Sequence, residues 1–282
     1  MIPSSADDVD YPGLPPSSPE AAAYAARAIE LGRASAHDPI ATAAYGDDPS
    51  QRIEVYVPRI AAAQPLPVLL FLHGGAWVSG GLQWLRFMAP AVTAVPAVFV
   101  ACSYRLAPTW RWPAACDDAC AALALTSRRS AEWGGDAQRL ILSGHSAGGH
   151  LASLAVLKQR ATPVRACFPV STSFDLRYGD VPDTSAEGRV YRYLLERREQ
   201  DAEASPVLHV KDNRVPFHVS WGERDFARIV RASEAMVQAL RSEGARVSSF
   251  VGEGCGHFDM HLGLADPKHP WYDRLREEWG NG

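Results

Sequence analysis

A serine flanked by glycines lies between two apolar segments near the middle of the chain. Residues 139–143 favour a buried strand, residues 144–148 read Gly-His-Ser-Ala-Gly, and residues 151–157 favour a helix. A serine on such a sharp strand-to-helix turn has strained backbone geometry, and its hydroxyl is exposed. The motif predicts Ser146 as a nucleophile, with the N–H of Ala147 directed at a developing oxyanion. A serine that merely caps a helix is the alternative explanation.

A serine hydroxyl needs a base before it can attack, and a histidine late in the chain fits that role. His257 lies in a glycine-bracketed loop, and histidine titrates near neutrality. Asp225 follows the preceding predicted strand, so we expect it to hold the imidazole tautomer; Glu223 and Asp259 are weaker alternatives. Ser146, Asp225 and His257 then follow one another in the chain as nucleophile, acid and base, the order that accompanies a Gly-x-Ser-x-Gly turn. A surface histidine and a surface loop aspartate are the alternatives.

Two glycines after another predicted strand can complete an oxyanion site. Gly74 and Gly75 can present backbone N–H groups because glycine lets the backbone approach closely, although a plain Gly-Gly turn is the alternative. We expect His73 to hydrogen-bond its loop, since no second histidine or cysteine stands at a metal-ligand spacing from it. His145 and His150 are expected to pack and hydrogen-bond. The sequence thus predicts neither a metal nor a cofactor.

Strands and helices alternate along the chain, and they must position these residues. The predicted strands are residues 52–58 (near a sheet edge), 68–72, 98–102, 139–143, 166–170, 215–221 and 247–251. The predicted helices are residues 18–32, 113–127, 151–157 and 226–243. Each loop with a candidate residue follows a predicted strand, and parallel sheets gather functional groups at that edge. The sequence predicts an α/β fold: a mostly parallel central sheet, helices on both faces and a small cap.

We expect one domain over residues 1–282, because no repeat, low-complexity tract or interdomain linker interrupts the chain. Residues 1–50 form an N-terminal extension, whose predicted helix can roof a pocket. Residues 171–206 are polar with a helical middle at 189–200, and they break the strand–helix alternation. This segment is predicted to be a small cap inserted over the carboxyl edge of the sheet.

Composition restricts the classes of partner. The chain has 282 residues, 47% hydrophobic and 21% charged, and its net charge of -4 without a basic run argues against nucleic acid. No apolar run is long enough to span a bilayer, and no secretory signal is evident, so we expect a cytoplasmic protein without a membrane partner. Edge strands of such a sheet can pair two copies into a homodimer.

The cysteines give no sign of a disulfide framework. The chain has 5 cysteines, an odd number, scattered in or beside apolar stretches, which indicates a reduced interior. Cys116 and Cys120 share one face of a predicted helix and are expected to be buried thiols rather than metal ligands.

Three motifs together resemble a known family. They are His-Gly-Gly-Ala-Trp at residues 73–77, Tyr-Arg-Leu-Ala-Pro at 104–108, and Gly-His-Ser-Ala-Gly-Gly-His at 144–150. They resemble the α/β-hydrolases of the hormone-sensitive-lipase and kynurenine-formamidase branch, over about residues 52–261. The resemblance implies a cofactor-free serine hydrolase with an α/β-hydrolase fold. The implied site residues are Ser146, Asp225 and His257 as catalytic triad and Gly74, Gly75 and Ala147 as oxyanion donors.

The chain departs from the lipase-like pattern at several positions. Ala76 replaces a third glycine, and Ser103 stands where an aspartate often precedes the Tyr-Arg pair. Trp77, the elbow at residues 144–150, and Ser-Phe-Asp-Leu-Arg at residues 173–177 look more like kynurenine formamidase.

Aromatic residues crowd the same predicted edge of the sheet. Core packing is the usual role of any one of them, but several lie in loops, which favours a flat apolar or aromatic acyl or leaving group as ligand. The candidate substrate-binding residues are Trp77, Trp110, Trp112, Phe174 and Phe258.

The sequence predicts a serine hydrolase that cleaves carboxylic esters or activated small amides through an acyl-enzyme. An arylformamidase acting on N-formylkynurenine is the first alternative, and it requires a cramped acyl side with an aromatic leaving-group side. A non-catalytic ligand-binding protein on the same fold is the second, since a fold does not fix a function.

Overall fold

The structure is a computed structural model and describes residues 13–59, 62–158 and 162–280. Over these residues the chain forms an eight-stranded sheet with the order β1-β2-β4-β3-β5-β6-β7-β8. The strands are β1 (Ala41–Ala44), β2 (Arg52–Tyr56), β3 (Leu66–Leu72), β4 (Val98–Cys102), β5 (Gly135–His145), β6 (Ala166–Val170), β7 (Phe217–Gly222) and β8 (Val247–Gly252). The pairs β1–β2 and β2–β4 are antiparallel, and all other pairs are parallel.

Helices cover both faces of this sheet. They are α1 (Pro19–Ala34), α2 (Ala89–Ala94), α3 (Ala114–Arg129), α4 (Ala147–Lys158), α5 (Ala227–Ser242), α6 (Asp259–Leu262) and α7 (Pro270–Trp279). Side chains of a strand alternate between faces, so Val68 and Leu70 join the core beneath α3, α4 and α5. Leu69 and Phe71 join the core beneath α2, α6 and α7. The predicted mostly parallel sheet with helices on both faces is confirmed.

The exposure expected of β2 is wrong, although its position is as predicted. β2 lies near the sheet edge, between the edge strand β1 and β4, but its alternating polar and apolar residues also indicate one exposed face, and four of its five residues are buried. The polar residue responsible, Glu54, is fully buried and ion-paired with Arg86 at 2.8 Å. The hydroxyl of Tyr56 also donates to Glu54, at 2.6 Å. These two partners compensate the free-energy cost of burying the Glu54 carboxylate. The alternation of polar and apolar residues in β2 alone would indicate that this side chain is exposed.

The helix at the end of the chain was not predicted from the sequence. α7 begins at Pro270, and the side chain of His269 accepts a hydrogen bond from the N–H of Trp271 at 3.2 Å. Trp271, Leu275 and Trp279 are buried against the sheet. Their spacing of four residues is that of one helix face, so the signal was present in the sequence.

The polar segment 171–206 contains less helix than expected. In place of a helix over residues 189–200 it has a π-helical turn at Val190–Leu194 and a 3-10 turn at Arg198–Gln200. Side-chain hydrogen bonds hold this irregular path, since the Tyr191 hydroxyl donates to the carbonyl of Leu176 and accepts from the N–H of Tyr178. The Gln200 side chain accepts the N–H groups of Glu196 and Arg197, which a continuous helix would pair with its own carbonyls.

None of the helices in the described ranges has the length and apolar character needed to cross a membrane. The cysteines are free thiols, and Cys102, Cys116 and Cys167 are buried. Across the same ranges no three histidine, cysteine or carboxylate side chains gather into a metal-binding group.

Candidate active site

Ser146 occupies the turn between β5 and α4. Its φ of 53° lies in the left-handed region, which side chains other than glycine rarely adopt. The Ser146 N–H donates to the carbonyl of Val170 at 2.8 Å and fixes the turn to the neighbouring strand. A Cβ atom at Gly148 would lie 2.1 Å from the carbonyl oxygen of Leu72, so only glycine lets the helix pack this closely on β3. The strain and the close packing set the serine at the carboxyl edge of the sheet.

A histidine and an aspartate line up behind this serine. The Ser146 hydroxyl lies 3.0 Å from Nε2 of His257, whose Nδ1 lies 2.8 Å from Oδ1 of Asp225. The same Asp225 oxygen accepts the N–H of Phe226 at 2.7 Å. His257 and Asp225 are both buried. His257 is 111 residues from Ser146 and 32 residues from Asp225 in the sequence, so the fold brings the three side chains together. The structure therefore brings together the three residues that the sequence singled out.

The charge state of Asp225 follows from its surroundings. Burial raises the pKa of this carboxyl, but the hydrogen bond and charge of His257, the Ser171 hydroxyl and the Phe226 N–H outweigh it, and the net pKa is lowered. An ionised carboxylate only accepts hydrogen bonds, so Nδ1 of His257 carries the proton. Nε2 is then free to accept the proton of the Ser146 hydroxyl.

The two alternative carboxylates hold the histidine loop instead. Glu223 accepts the N–H of Gly254 at 2.8 Å, and Asp259 accepts the N–H of Gly256 at 2.8 Å. Both bonds fix the backbone on either side of the turn before His257. Neither carboxylate has a hydrogen bond to the imidazole among the described residues.

The three predicted oxyanion donors lie beside Ser146. A Cβ atom at Gly74 would lie 3.4 Å from the Cβ of Ser146, and Gly75 has a φ of +116° that favours glycine. Within the described residues neither glycine N–H donates to another backbone group. Ala147 is the first residue of α4, so its N–H has no acceptor inside the helix. These N–H groups are available to a ligand oxygen next to the serine hydroxyl.

The neighbouring histidines have structural partners, as expected. Nδ1 of His73 donates to the carbonyl of Gly74 at 2.6 Å, and Nε2 of His150 donates to that of Ala204 at 2.6 Å. Burial lowers the pKa of His73 and of His150 to about 4, so both rings are neutral. Nε2 of His145 donates to the backbone carbonyl of His257 at 3.0 Å, and this bond fixes the loop that carries the candidate base.

Two cavities meet at Ser146, which contributes to the wall of both. The aromatic lobe, of about 400 Å³, is lined by His257 and by a group of aromatic side chains. That group consists of Tyr24, Trp84, Phe226 and Phe258. The arginine lobe, of about 380 Å³, is lined by Trp77, Tyr178, Tyr193, Arg189 and Arg228, and the two arginines also reach the aromatic lobe. The site can therefore hold a ligand group on each side of the serine.

The aromatic residues predicted to bind substrate divide into two groups. Trp77 and Phe258 line the lobes, whereas Trp110, Trp112 and Phe174 line neither. The structure thus corrects the prediction for these three. Trp110 is 40% exposed beneath the Arg105 guanidinium, and Trp112 and Phe174 are buried in the core.

Several cavity residues were not identified from the sequence, and four of them show why. Tyr24 comes from α1, Arg189 from the polar segment, and Phe226 and Arg228 from the start of α5. Among these four, only Tyr24 had a signal in the local sequence. It is an aromatic residue in the alanine-rich N-terminal helix, which the sequence indicates can roof a pocket. The other three depend on how distant segments fold over the sheet edge.

A serine on a strand-to-helix turn, with an aspartate and a histidine after later strands, is the arrangement that defines the α/β-hydrolase class. The carboxyl ends of β5, β7 and β8 supply the three residues here. Comparison with known proteins agrees with this class.

A family model described as alpha/beta hydrolase fold matches residues 69–261, and the chain belongs to that family. Esterase LipC of Mycobacterium tuberculosis is 32% identical over 77% of this chain and 59% of its own length. A probable isoprenylcysteine alpha-carbonyl methylesterase of Arabidopsis thaliana is 26% identical over 83% of this chain and 53% of its own. The chain thus spans less than two thirds of each of these relatives.

Solved structures show the same fold. An esterase from Pyrobaculum calidifontis superposes with a TM-score of 0.76 at 19% identity, covering 92% of this chain and 91% of that one. The carboxylesterase EstE1, cloned from a metagenomic library, gives a TM-score of 0.73 at 23% identity, covering 92% and 93%. At these identities the likeness concerns the fold alone.

Proposed function

We propose that the protein is a serine hydrolase that cleaves carboxylic esters through an acyl-enzyme intermediate. The observation that carries this proposal is the hydrogen-bonded series Ser146, His257 and Asp225 at a two-lobed cavity. The relatives named esterase and methylesterase support ester bonds as the target.

The reaction follows from the geometry. The Ser146 oxygen attacks the ester carbonyl carbon while Nε2 of His257 takes its proton, and Asp225 stabilises the resulting imidazolium. The N–H groups of Gly74, Gly75 and Ala147 bind the tetrahedral oxyanion. The C–O bond of the ester then breaks, and His257 returns the proton to the leaving alcohol. Water repeats the sequence on the acyl-enzyme and releases the acid.

The test compares the protein with its Ser146→Ala variant on short- and medium-chain aryl esters. We expect kcat to fall about 10⁴-fold or more in the variant, since the remaining groups cannot supply a nucleophile. Ser242→Ala, which changes an exposed serine at the end of α5 that lines neither lobe, is the control and should retain activity. Full activity in Ser146→Ala would overturn the proposal.

The arylformamidase alternative gains no support from the relatives described above, which are named esterases. It also requires a cramped acyl side, whereas the two lobes have similar volumes of about 400 and 380 Å³. N-formylkynurenine belongs in the same assay, because a kcat/KM orders of magnitude above that of the esters would restore this alternative.

We also propose that the chain is a single domain in which residues 171–206 form the cap, joined over the cavities by residues 13–34 of the N-terminal extension. Pro16 and Tyr24 from the N-terminal extension, and Ala186 and Arg189 from the cap, line the cavities; residues 1–12 lie outside the described residues. The cytoplasmic location and the homodimer stay predictions, which subcellular fractionation and sedimentation test.

A further inference from the structure

Two arginines lie where the two lobes join. Arg189 precedes the π-helical turn of the polar segment, and Arg228 is the second residue of α5. Both are partly buried, and each lines the aromatic lobe and the arginine lobe. Ser146 also lines both lobes, so a ligand that contacts the serine can reach either guanidinium.

Most N–H donors of these guanidinium groups have no acceptor among the described residues. Arg189 donates one hydrogen bond, to the carbonyl of Ser17 at 3.1 Å. The carboxylate paired with Arg228 is that of Glu187, at 3.8 Å, which is beyond hydrogen-bond distance. A guanidinium carries five N–H donors in a fixed fork that matches a carboxylate, so both side chains can bind an anion.

The charge around the arginine lobe favours an anion as well. No carboxylate belongs to its described lining, and Glu20 lines only the aromatic lobe. The first turn of α5 has no acidic residue, and Arg228 adds a cation at the positive end of that helix. Asp225 at the start of α5 is bonded to His257, and Glu187 lies 3.8 Å from Arg228, so the positive charge of the lobe comes from the two guanidinium groups rather than from the helix dipole. Burial raises the pKa of Tyr178 to about 12, so its hydroxyl in this lobe keeps its proton.

We propose that the preferred substrate is an ester that also carries a free carboxylate, which Arg189 and Arg228 bind while the ester carbonyl lies at Ser146. This inference rests on the proposed ester hydrolysis and names its substrate class. Water is consumed, the ester C–O bond breaks, and an acid and an alcohol are released. The second carboxylate is bound and released unchanged.

The first experiment compares two acetate esters of equal size, 4-acetoxybenzoate and the neutral 4-acetoxybenzamide. Each kcat/KM is divided by the uncatalysed hydrolysis rate of the same ester, which removes the difference in leaving-group reactivity. We expect the anionic ester to be preferred by about tenfold or more, and the preference to decrease as salt is raised. A second pair, an aryl monosuccinate and the aryl butyrate, shows whether a carboxylate on the acyl side is also accepted.

Substitutions assign the preference to the two side chains. Arg189→Gln and Arg228→Gln should each lower kcat/KM for 4-acetoxybenzoate by about tenfold to a hundredfold, mostly through KM, because a charge-assisted hydrogen bond is lost. The ratio of kcat/KM for 4-acetoxybenzoate to that for 4-acetoxybenzamide should therefore fall in both variants. Arg231→Gln is the matched control, since this exposed arginine lies on the same helix and lines neither lobe.

Binding separates this inference from the proposed function. Calorimetric titration of 4-acetoxybenzoate into Ser146→Ala measures affinity without turnover, and the added Arg228→Gln change should weaken it. If neutral esters are hydrolysed and the anionic ester has no advantage, the inference is overturned and the esterase proposal stands. If no ester is hydrolysed but binding depends on the arginines, the esterase proposal fails and the anion site stands. Arginine-independent binding overturns the inference.

Discussion

Ser146 shows how a single residue is held in an unfavourable conformation for a chemical purpose. A backbone in the left-handed region costs on the order of 1–3 kcal/mol, and the hydrogen bond to Val170 and the tight packing of Gly148 on β3 maintain it. In this conformation the Ser146 hydroxyl is directed at His257 rather than into the helix. The residue's neighbours therefore matter as much as its own chemistry.

The roles of the carboxylates can be separated by substitution. Asp225→Asn should lower kcat by about 10⁴-fold, because an amide favours the wrong tautomer of His257. Glu223→Gln is the matched control: its side chain contacts the N–H of Gly254, so kcat should change less than about tenfold. Steady-state kinetics on one aryl ester measures both. If Asp225→Asn kept full activity and Glu223→Gln lost it, Glu223 rather than Asp225 would be the carboxylate that orients His257.

For single residues, the sequence predicted a site residue where its type and its position directly after a strand were enough to identify it. Ser146, Asp225 and His257 each follow a predicted strand, and parallel strands end at a common edge. Trp110 and Trp112 also lie in loops, yet they contact Arg105 and Lys158 instead of the cavity. The direction of a loop side chain depends on distant partners, and no local pattern encodes it.

The elements differ in how strongly the sequence indicates them. β3 and β4 are continuous apolar runs and were predicted, whereas β1, Ala41–Ala44, is a strand of small residues with weak propensity. The predicted helix over residues 189–200 is a pair of short turns, because the Gln200 side chain accepts the N–H groups of Glu196 and Arg197 between them. Side-chain hydrogen bonds thus overrode the local preference.

The unpredicted helix α7 should contribute strongly to stability. Trp271 is 2% exposed and packs on Phe71 and Phe168, so Trp271→Ala should lower the free energy of unfolding by about 3–5 kcal/mol. Trp110→Ala, at 40% exposure, should cost no more than about 1 kcal/mol. Urea denaturation of the two variants gives the comparison. Equal losses would contradict the packing role of α7.

Over the whole molecule, buried histidines link stability to pH. Burial lowers the pKa of His73 and of His150 to about 4 and that of His261 to about 3, from an ordinary value of 6.5. The unfolded chain takes up protons below pH 6.5 while the folded chain does not. The contribution of these neutral histidines to the free energy of unfolding is therefore fully present above pH 6.5 and is lost as the pH falls toward 4.

The size of this effect is measurable. At pH 5.5 each of the three histidines should cost about 1.4 kcal/mol, or roughly 4 kcal/mol together, relative to neutral pH. Urea denaturation at pH 7.5 and pH 5.5 gives the two free energies of unfolding. A free energy of unfolding that stays constant between these pH values would mean that the buried imidazoles take up protons over the same pH range in the folded and unfolded protein.

The division of the cavity walls has a consequence for how such a protein diverges. The reacting groups sit at strand ends, while Pro16, Tyr24, Ala186 and Arg189 reach the cavity from segments outside the sheet. Substitutions in those segments alter which molecule is chosen without moving the bonds between Ser146, His257 and Asp225. Proteins descended from one ancestor can thus acquire new substrate specificities through substitutions in these cavity-lining segments. Their reaction and their core remain those of the ancestor.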